Sequence, residues 1–338
     1  MRNKVLTVFL LIFLVFTGMM GKAQDEEKKN PFANGQPIGL VYANFHTGIN
    51  QGNNPAGFEI KRAYLGYEFK MNNEFSSKIV IDIGSPDDVS EFSLLRRFAY
   101  FKNAYLQYKK GKFQAKFGII PLQQFKLQET IWGHRYIEKT VTDAQRMASS
   151  ADLGASIDFK LNDVAKFDLT MMNGEGYSNL QTDESFKVGL GTTIRPWKGL
   201  VLRVYGDVIT KGITQTFIVT FIGYQIKDKF NIGFEYDFTD NYKFEDNNDK
   251  KVMSTYASWD FNEKFQIFGR YDFVTSNILE GEDVPWDLAT DGSSVIVGIQ
   301  YRPISKVKIA LNYQDWYPYA ANESNLAFIF LNFEFRVW

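Results

Sequence analysis

Two histidines, His46 and His134, are the only side chains of this 338-residue chain that ordinarily trade protons near neutrality. A hydrolase built on either needs a nucleophile, a base and an orienting group within hydrogen-bond reach. His134, in "IWGHRY", is the one candidate base, and no serine beside it occupies a nucleophile elbow. It reads as a loop histidine. No His or carboxylate cluster has metal-ligand spacing, and cysteine is absent, so neither a metal site, a disulfide framework nor a lipid anchor is expected. "GLG" at residues 189–191 lacks the rest of a dinucleotide fingerprint and reads as relief of crowding in a strand. What remains are carboxylates recurring at every second position, which suit a polar wall better than acid–base catalysis. The chain reads as a non-enzyme without a cofactor.

The alternation points to the elements that carry those carboxylates. In "FNIGFEYDF", Phe230, Ile232, Phe234, Tyr236 and Phe238 oppose Asn231, Gly233, Glu235 and Asp237. "LGASIDFKL" and "KFQAKFGI" repeat the pattern, as does the C-terminal "FIFLNFEFRVW", where Asn332, Glu334 and Arg336 oppose Ile329, Leu331, Phe333, Phe335 and Val337. A period of two with one oily and one wet face is that of a β-strand. Aromatic residues make up 16% of the chain, with 31 Phe and 18 Tyr, although mean hydropathy is −0.25. A lipid-facing barrel displays such residues, whereas a soluble sandwich or propeller must bury them.

About sixteen strands are expected, near 38–46, 57–71, 75–84, 99–109, 112–120, 151–161, 166–173 and 185–195, then 199–208, 213–226, 229–238, 251–261, 264–274, 293–302, 305–315 and 324–337. "TFIVTFIGYQI", residues 216–226, is apolar on both faces and leaves its inward side open. Tight turns at Asn72, Lys109, Asn162, Pro196, Lys227, Asn262 and Pro303 alternate with connections that are usually longer. Short turns at one end and long loops at the other are the layout of an outer-membrane barrel, with the last strand pairing with the first. The expected fold is therefore all-β, a transmembrane antiparallel β-barrel.

Arg2 and Lys4 precede the apolar "VLTVFLLIFLVF", and "GKA" at residues 21–23 offers a small-x-small cleavage site, so residues 1–23 read as a secretory signal peptide. That stretch is short for a membrane anchor. Residues 24–37 are charged, contain two prolines and read as a flexible periplasmic lead-in; residues 38–338 form the barrel. The formal net charge is −1, and no basic face suggests nucleic acid. Export and pattern place the protein in the outer membrane of a Gram-negative cell, with lipid around it.

The stretch "FEIKRAYLGYEFKMNNEFSSKIVIDIG" (residues 58–84), then "NAYLQYKKGKFQAKFGIIPLQQFKLQE" (103–129) and "SSADLGASI" (149–157) resemble the phosphate-selective porin O and P family in its Bacteroidetes form. The resemblance covers residues 58–161, with architecture alone beyond. It implies a sixteen-stranded homotrimer whose third external loop narrows the pore, and phosphate selectivity from clustered bases.

Independently, residues 121–150 form the longest connection and the third external one, with Phe125, Trp132 and Tyr136 against disorder. "TVTDAQRM", residues 140–147, suits one or two helical turns. The segment is a constriction loop or a surface flap, and its candidate residues are Lys126, Glu129, Trp132, His134, Arg135 and Arg146. Parity sends Arg62, Lys116, Arg203 and Arg270 into the pore wall, together with Glu68, Asp82, Asp158, Asp207, Glu235 and Asp272. Opposite charges so interleaved cancel within a Debye length. The expected function is passive diffusion of small polar or charged solutes with weak ion selectivity. A phosphate- or anion-selective pore with a basic site at the loop is the alternative, followed by a plugged-barrel enzyme or adhesin.

Overall fold

A segment with one apolar and one polar face satisfies both at once only in a sheet, and closing the sheet leaves no unpaired edge. The computed structural model describes residues 34–49, 55–84 and 98–338 and is such a closed antiparallel sheet of sixteen strands. In chain order these are β1 (Gly35–Gly48), β2 (Ala56–Lys70), β3 (Phe75–Gly84), β4 (Phe98–Lys110), β5 (Phe113–Pro121), β6 (Ala151–Lys160), β7 (Ala165–Met172) and β8 (Lys187–Ile194). The second half comprises β9 (Leu200–Lys211), β10 (Ile213–Ile226), β11 (Phe230–Asp240), β12 (Lys250–Asp260), β13 (Phe265–Ser276), β14 (Gly292–Ile304), β15 (Val307–Pro318) and β16 (Leu326–Arg336). Every expected strand is present, most bounds within three residues. The proposed signal peptide, residues 24–33 of the lead-in and the second external connection (85–97) lie outside the described residues.

Each strand pairs with its sequence neighbours, and β16 closes on β1 from Leu40↔Arg336 to Gly48↔Phe328. β1 starts three residues inside the segment read as lead-in, because Gly35, Gln36 and Pro37 pair with Phe69, Glu68 and Tyr67 of β2. The register with β16 begins only at Leu40, so Pro37 needs no amide donor on that side. One external connection breaks the long-loop rule: Gly212 alone, at φ +79°, joins β9 to β10.

The faces follow parity. Phe234 and Leu311 point outward, whereas Glu235, Asp237 and Asn312 are buried inside. Among the described residues, three ladders shift register by one residue, β14 against β15 near the turn at Ile304 and two others that bear on the lumen. Lys61 is skipped between Ile60 and Arg62 opposite β1, and Lys102 between Phe101 and Asn103 opposite β3. An extra residue re-aims the side chains around it, and both lysines reach inside: Lys61 Nζ donates to Ile137 O (2.8 Å) and Lys102 Nζ to Ser150 Oγ. The "GLG" glycines make room inside the wall. A Cβ on Gly189 would lie 1.9 Å from Tyr205 Oη, and one on Gly191 2.4 Å from Asp168 Oδ2.

Candidate functional site

The third external connection folds into the barrel. Its base closes where Leu122 N donates to Ser150 O (3.1 Å). From there α1 (Lys126–Trp132) buries Gln128, Ile131 and Trp132 and leaves Lys126, Glu129 and Thr130 outward. Gly133, at φ +69°, ends α1 in the left-handed region, its N–H donating to Glu129 O. The short helix α2 (Val141–Ala144) falls within the stretch read as helical; α1 was not anticipated.

The loop is fastened across the lumen to the wall of β9 to β15. Gln124 Nε2 donates to Asp207 Oδ2 (3.0 Å), Tyr256 Oη to Gln128 O (3.0 Å) and Tyr136 Oη to Gln300 Oε1 (2.8 Å). Thr142 donates to Asp237, and Arg270 to the carbonyl of Lys139. Apolar contacts reinforce these bonds: Ile131, Trp132, Tyr136 and Ile137 pack with Val201, Phe221, Tyr256 and Phe268, while Phe125, Val141 and Met147 pack with Phe217 and Val219. The inward side of the doubly apolar strand β10 is thus Phe217, Val219 and Phe221, covered by the loop.

His134 and Trp132 belong to this fastening. The His134 ring nitrogens lie 2.6 Å from Trp132 O and 2.9 Å from Gln266 Oε1, and Phe268 packs on the ring at 4.3 Å. Burial, and then the Lys308 ammonium, pull its pKa down to about 3 against the pull of these two contacts, so the ring is neutral and donates in one of them.

On the other side of the loop, space remains against β1 to β5 at the inner end and extends along β6 to β8 at the outer end. An outer chamber of about 640 Å³ is lined by Arg62, Tyr100, Arg135, Lys139, Asp143 and Arg146, among others. An inner chamber of about 290 Å³ is lined by Tyr42, Tyr64, Lys78, Lys102, Lys126, Glu129 and Arg135, among others. Leu122, Arg135 and Ser150 line both, and Arg135 is the one charged residue among them. Its Nε lies 3.6 Å from Glu129 Oε2 and its Nη2 3.5 Å from Asp143 Oδ2. Burial would raise the Glu129 pKa, but Lys126 at 2.7 Å and then Arg135 outweigh it and hold the carboxyl ionised. Glu138 behaves likewise, with Lys61 and Arg270 outweighing burial.

Lys126, Glu129, Arg135 and Arg146 therefore face the chambers, and Trp132 and His134 anchor the loop. Among the wall residues, Arg62 lines the outer chamber and pairs with Asp82 (2.8 Å), which also accepts from Tyr177 Oη (2.8 Å). Arg203 is bidentate on Asp168 (2.7 and 2.9 Å), and Arg270 on Asp272 (2.8 and 2.7 Å). Lys187 Nζ lies 3.9 Å from Asp207, Lys78 3.3 Å from Glu68, and Lys166 2.5 Å from Asp158. Lys116 is buried with its ammonium 5.8 Å from the Tyr105 ring, and Glu235 is buried beside Asp237, whose partner Thr142 lies on α2. Lys61 and Lys102 were missed because a bulge cannot be read by parity. Tyr42 and Tyr64, whose rings meet edge-on at 5.8 Å, were legible from inward parity alone.

No protein family matches the chain by sequence, and no curated protein does. Solved structures do. The outer membrane channel DcaP of Acinetobacter baumannii superposes with a TM-score of 0.64 at 10% identity, covering 93% of this chain and 100% of that one. OmpF of Salmonella typhi gives 0.64 at 11% identity over 89% and 97%, and OprB of Pseudomonas putida 0.65 at 8% over 90% and 94%. The chain shares the fold of these outer-membrane proteins.

Proposed function

We propose that this protein is an outer-membrane porin, a passive channel for small polar or charged solutes with weak ion selectivity. The observation that carries the reading is the third loop: it crosses the lumen, is fastened to the far wall, and leaves two chambers that share Arg135. A loop so placed selects by size at the narrowest level and by charge along its exposed edge. Export by a cleaved signal peptide and assembly as a homotrimer belong to the same reading; among the similar structures is a trimer form of OmpT of Vibrio cholerae. The test is single-channel conductance in planar bilayers before and after shortening residues 122–150 with the flanking strands kept. The shortened barrel should conduct more and pass larger solutes. Unchanged conductance in an assembled barrel would place the constriction elsewhere, and a barrel that never conducts would refute the channel itself.

One observation favours a second reading, an anion- or phosphate-selective pore. The outer chamber is lined by Arg62, Arg135, Lys139, Arg146, Lys187 and Lys243 against Asp143, Asp152 and Glu175. Titrating chloride conductance with phosphate separates the readings: block at low concentration favours selectivity, and its absence favours the general pore.

A further inference from the structure

The charges on the lumen-facing edge of the third loop alternate in sign along the path, Lys126 exposed, Glu129, Arg135 and Lys139 partly exposed and Asp143 buried. Lys139 and Asp143 line the outer chamber, Arg135 the level common to both, and Glu129 and Lys126 the inner chamber. Neighbours are linked in that order: Lys139 Nζ–Asp143 Oδ1 3.9 Å, Asp143 Oδ2–Arg135 Nη2 3.5 Å, Arg135 Nε–Glu129 Oε2 3.6 Å and Glu129 Oε1–Lys126 Nζ 2.7 Å. The two contacts of Arg135 are longer than the roughly 2.7–3.2 Å of an ordinary N–H···O bond, so the guanidinium keeps donor capacity. Asp143 Oδ2 is buried and accepts no hydrogen bond among the described residues, so it acts on a solute only through its charge. Both backbone helices and the fastening to the far wall fix these groups in place.

Such a row treats solutes differently by their charge pattern. A simple anion is attracted at Arg135 and repelled at the carboxylates on either side; a simple cation meets the reverse. A neutral solute gains only hydrogen bonds. A zwitterion can set its carboxylate on Arg135 or Lys126 while its ammonium faces the Glu129 carboxylate between them, so a forward step exchanges one pair of matching sign for another. We infer that the constriction favours zwitterionic solutes, α-amino acids and short peptides, over neutral or singly charged solutes of the same size. The inference rests on the porin reading and names a solute class for its site.

The test compares alanine with its uncharged isomer lactamide in swelling of proteoliposomes, so that size is constant. Alanine should enter faster than lactamide through the unaltered protein. Arg135→Gln should reduce the alanine-to-lactamide ratio about twofold to fivefold, the effect of losing one partly exposed charge contact. Lys126 is exposed, so Lys126→Gln tests the row without touching the loop's anchors and should lower the ratio in the same direction. A wild-type ratio of one or less overturns the inference, as does a ratio that Arg135→Gln and Lys126→Gln leave unchanged. In either case free passage of lactamide would keep the porin reading. Entry of neither isomer through a correctly folded barrel would refute both.

Discussion

Phe234 is the fifth residue of the 11-residue strand β11 and points outward, flanked across the ladder by Ile222 and Thr255. At 45% relative exposure its outer side stands uncovered by protein, so in a membrane that side meets lipid near the midplane. Phe234→Lys should therefore cost about 2–4 kcal/mol, the toll for a cation at that depth. That is roughly a 30- to 900-fold loss in the folding constant. Ile226, equally exposed at 43%, ends β10 beside the tight turn at residues 227–229, so its side chain lies at the membrane rim. Ile226→Lys should cost only about 0–1 kcal/mol. Inward Gly233 is a poor control, because an added Cβ would lie 2.4 Å from the Tyr256 ring. The assay is reversible urea unfolding in lipid vesicles, followed by tryptophan fluorescence and by the gel shift between folded and boiled protein. Equal costs at Phe234 and Ile226 would refute the depth argument, and no cost at Phe234 would refute the outward face.

Asp168→Asn leaves Arg203, bidentate and buried, without its counter-charge and should cost about 3–5 kcal/mol; the double change Arg203→Met with Asp168→Leu should cost less than the single one in the same titration. The His134 pKa lies below its unfolded value, so neutral His134 contributes full stability above about pH 6.5 and loses it as pH falls toward 3. Acidification should loosen the loop, seen as faster proteolysis within residues 122–150, and His134→Gln should flatten that dependence; an unchanged pH profile would contradict it. In a tenfold potassium chloride gradient the reversal potential should lie nearer zero than the roughly 59 mV of a perfectly selective pore, since Arg62, Lys187, Arg203 and Arg270 each have an acid behind them. A strong anion preference would restore the phosphate reading.

Strands were legible because a two-sided environment writes itself into every second residue. Glu235 and Phe234 could not exchange faces without placing a carboxylate in lipid, and the closing run from Phe328 onward needed a partner with matching faces, which β1 supplies. Pairing along the wall was legible only as interleaved charge; which acid meets which base depends on the stagger between strands, as when Arg203 crosses Gly191 of β8 to reach Asp168 on β7. Lys61 and Lys102 were hidden because a bulge inserts one residue and shifts the parity on one side of it. Within the loop, Lys126, Glu129 and Arg135 were recognisable by type and place. That Trp132 and His134 would serve as anchors depended on Gln266 and Phe268, more than a hundred residues away.

The clue to the loop's position was the strand that fitted the pattern least. Facing open water, the inward side chains Phe217, Val219 and Phe221 of β10 would forfeit ~1.5–3 kcal/mol each relative to burial. Residues 125–148 cover them, and that burial offsets the entropy of ordering a long loop, whose closure cost grows only slowly with length. Docking on β9 to β15 leaves the inner chamber beside β1 to β5, where the inward residues are Tyr42, Tyr64, Lys78 and the bulged Lys102. Polar bonds at Gln128, His134, Tyr136 and Thr142 then fix the rotation of the loop about its own axis, which is what turns Lys126, Glu129, Arg135 and Asp143 toward the chambers rather than the wall. An apolar patch inside an otherwise polar tube thus determines which charges a passing solute meets.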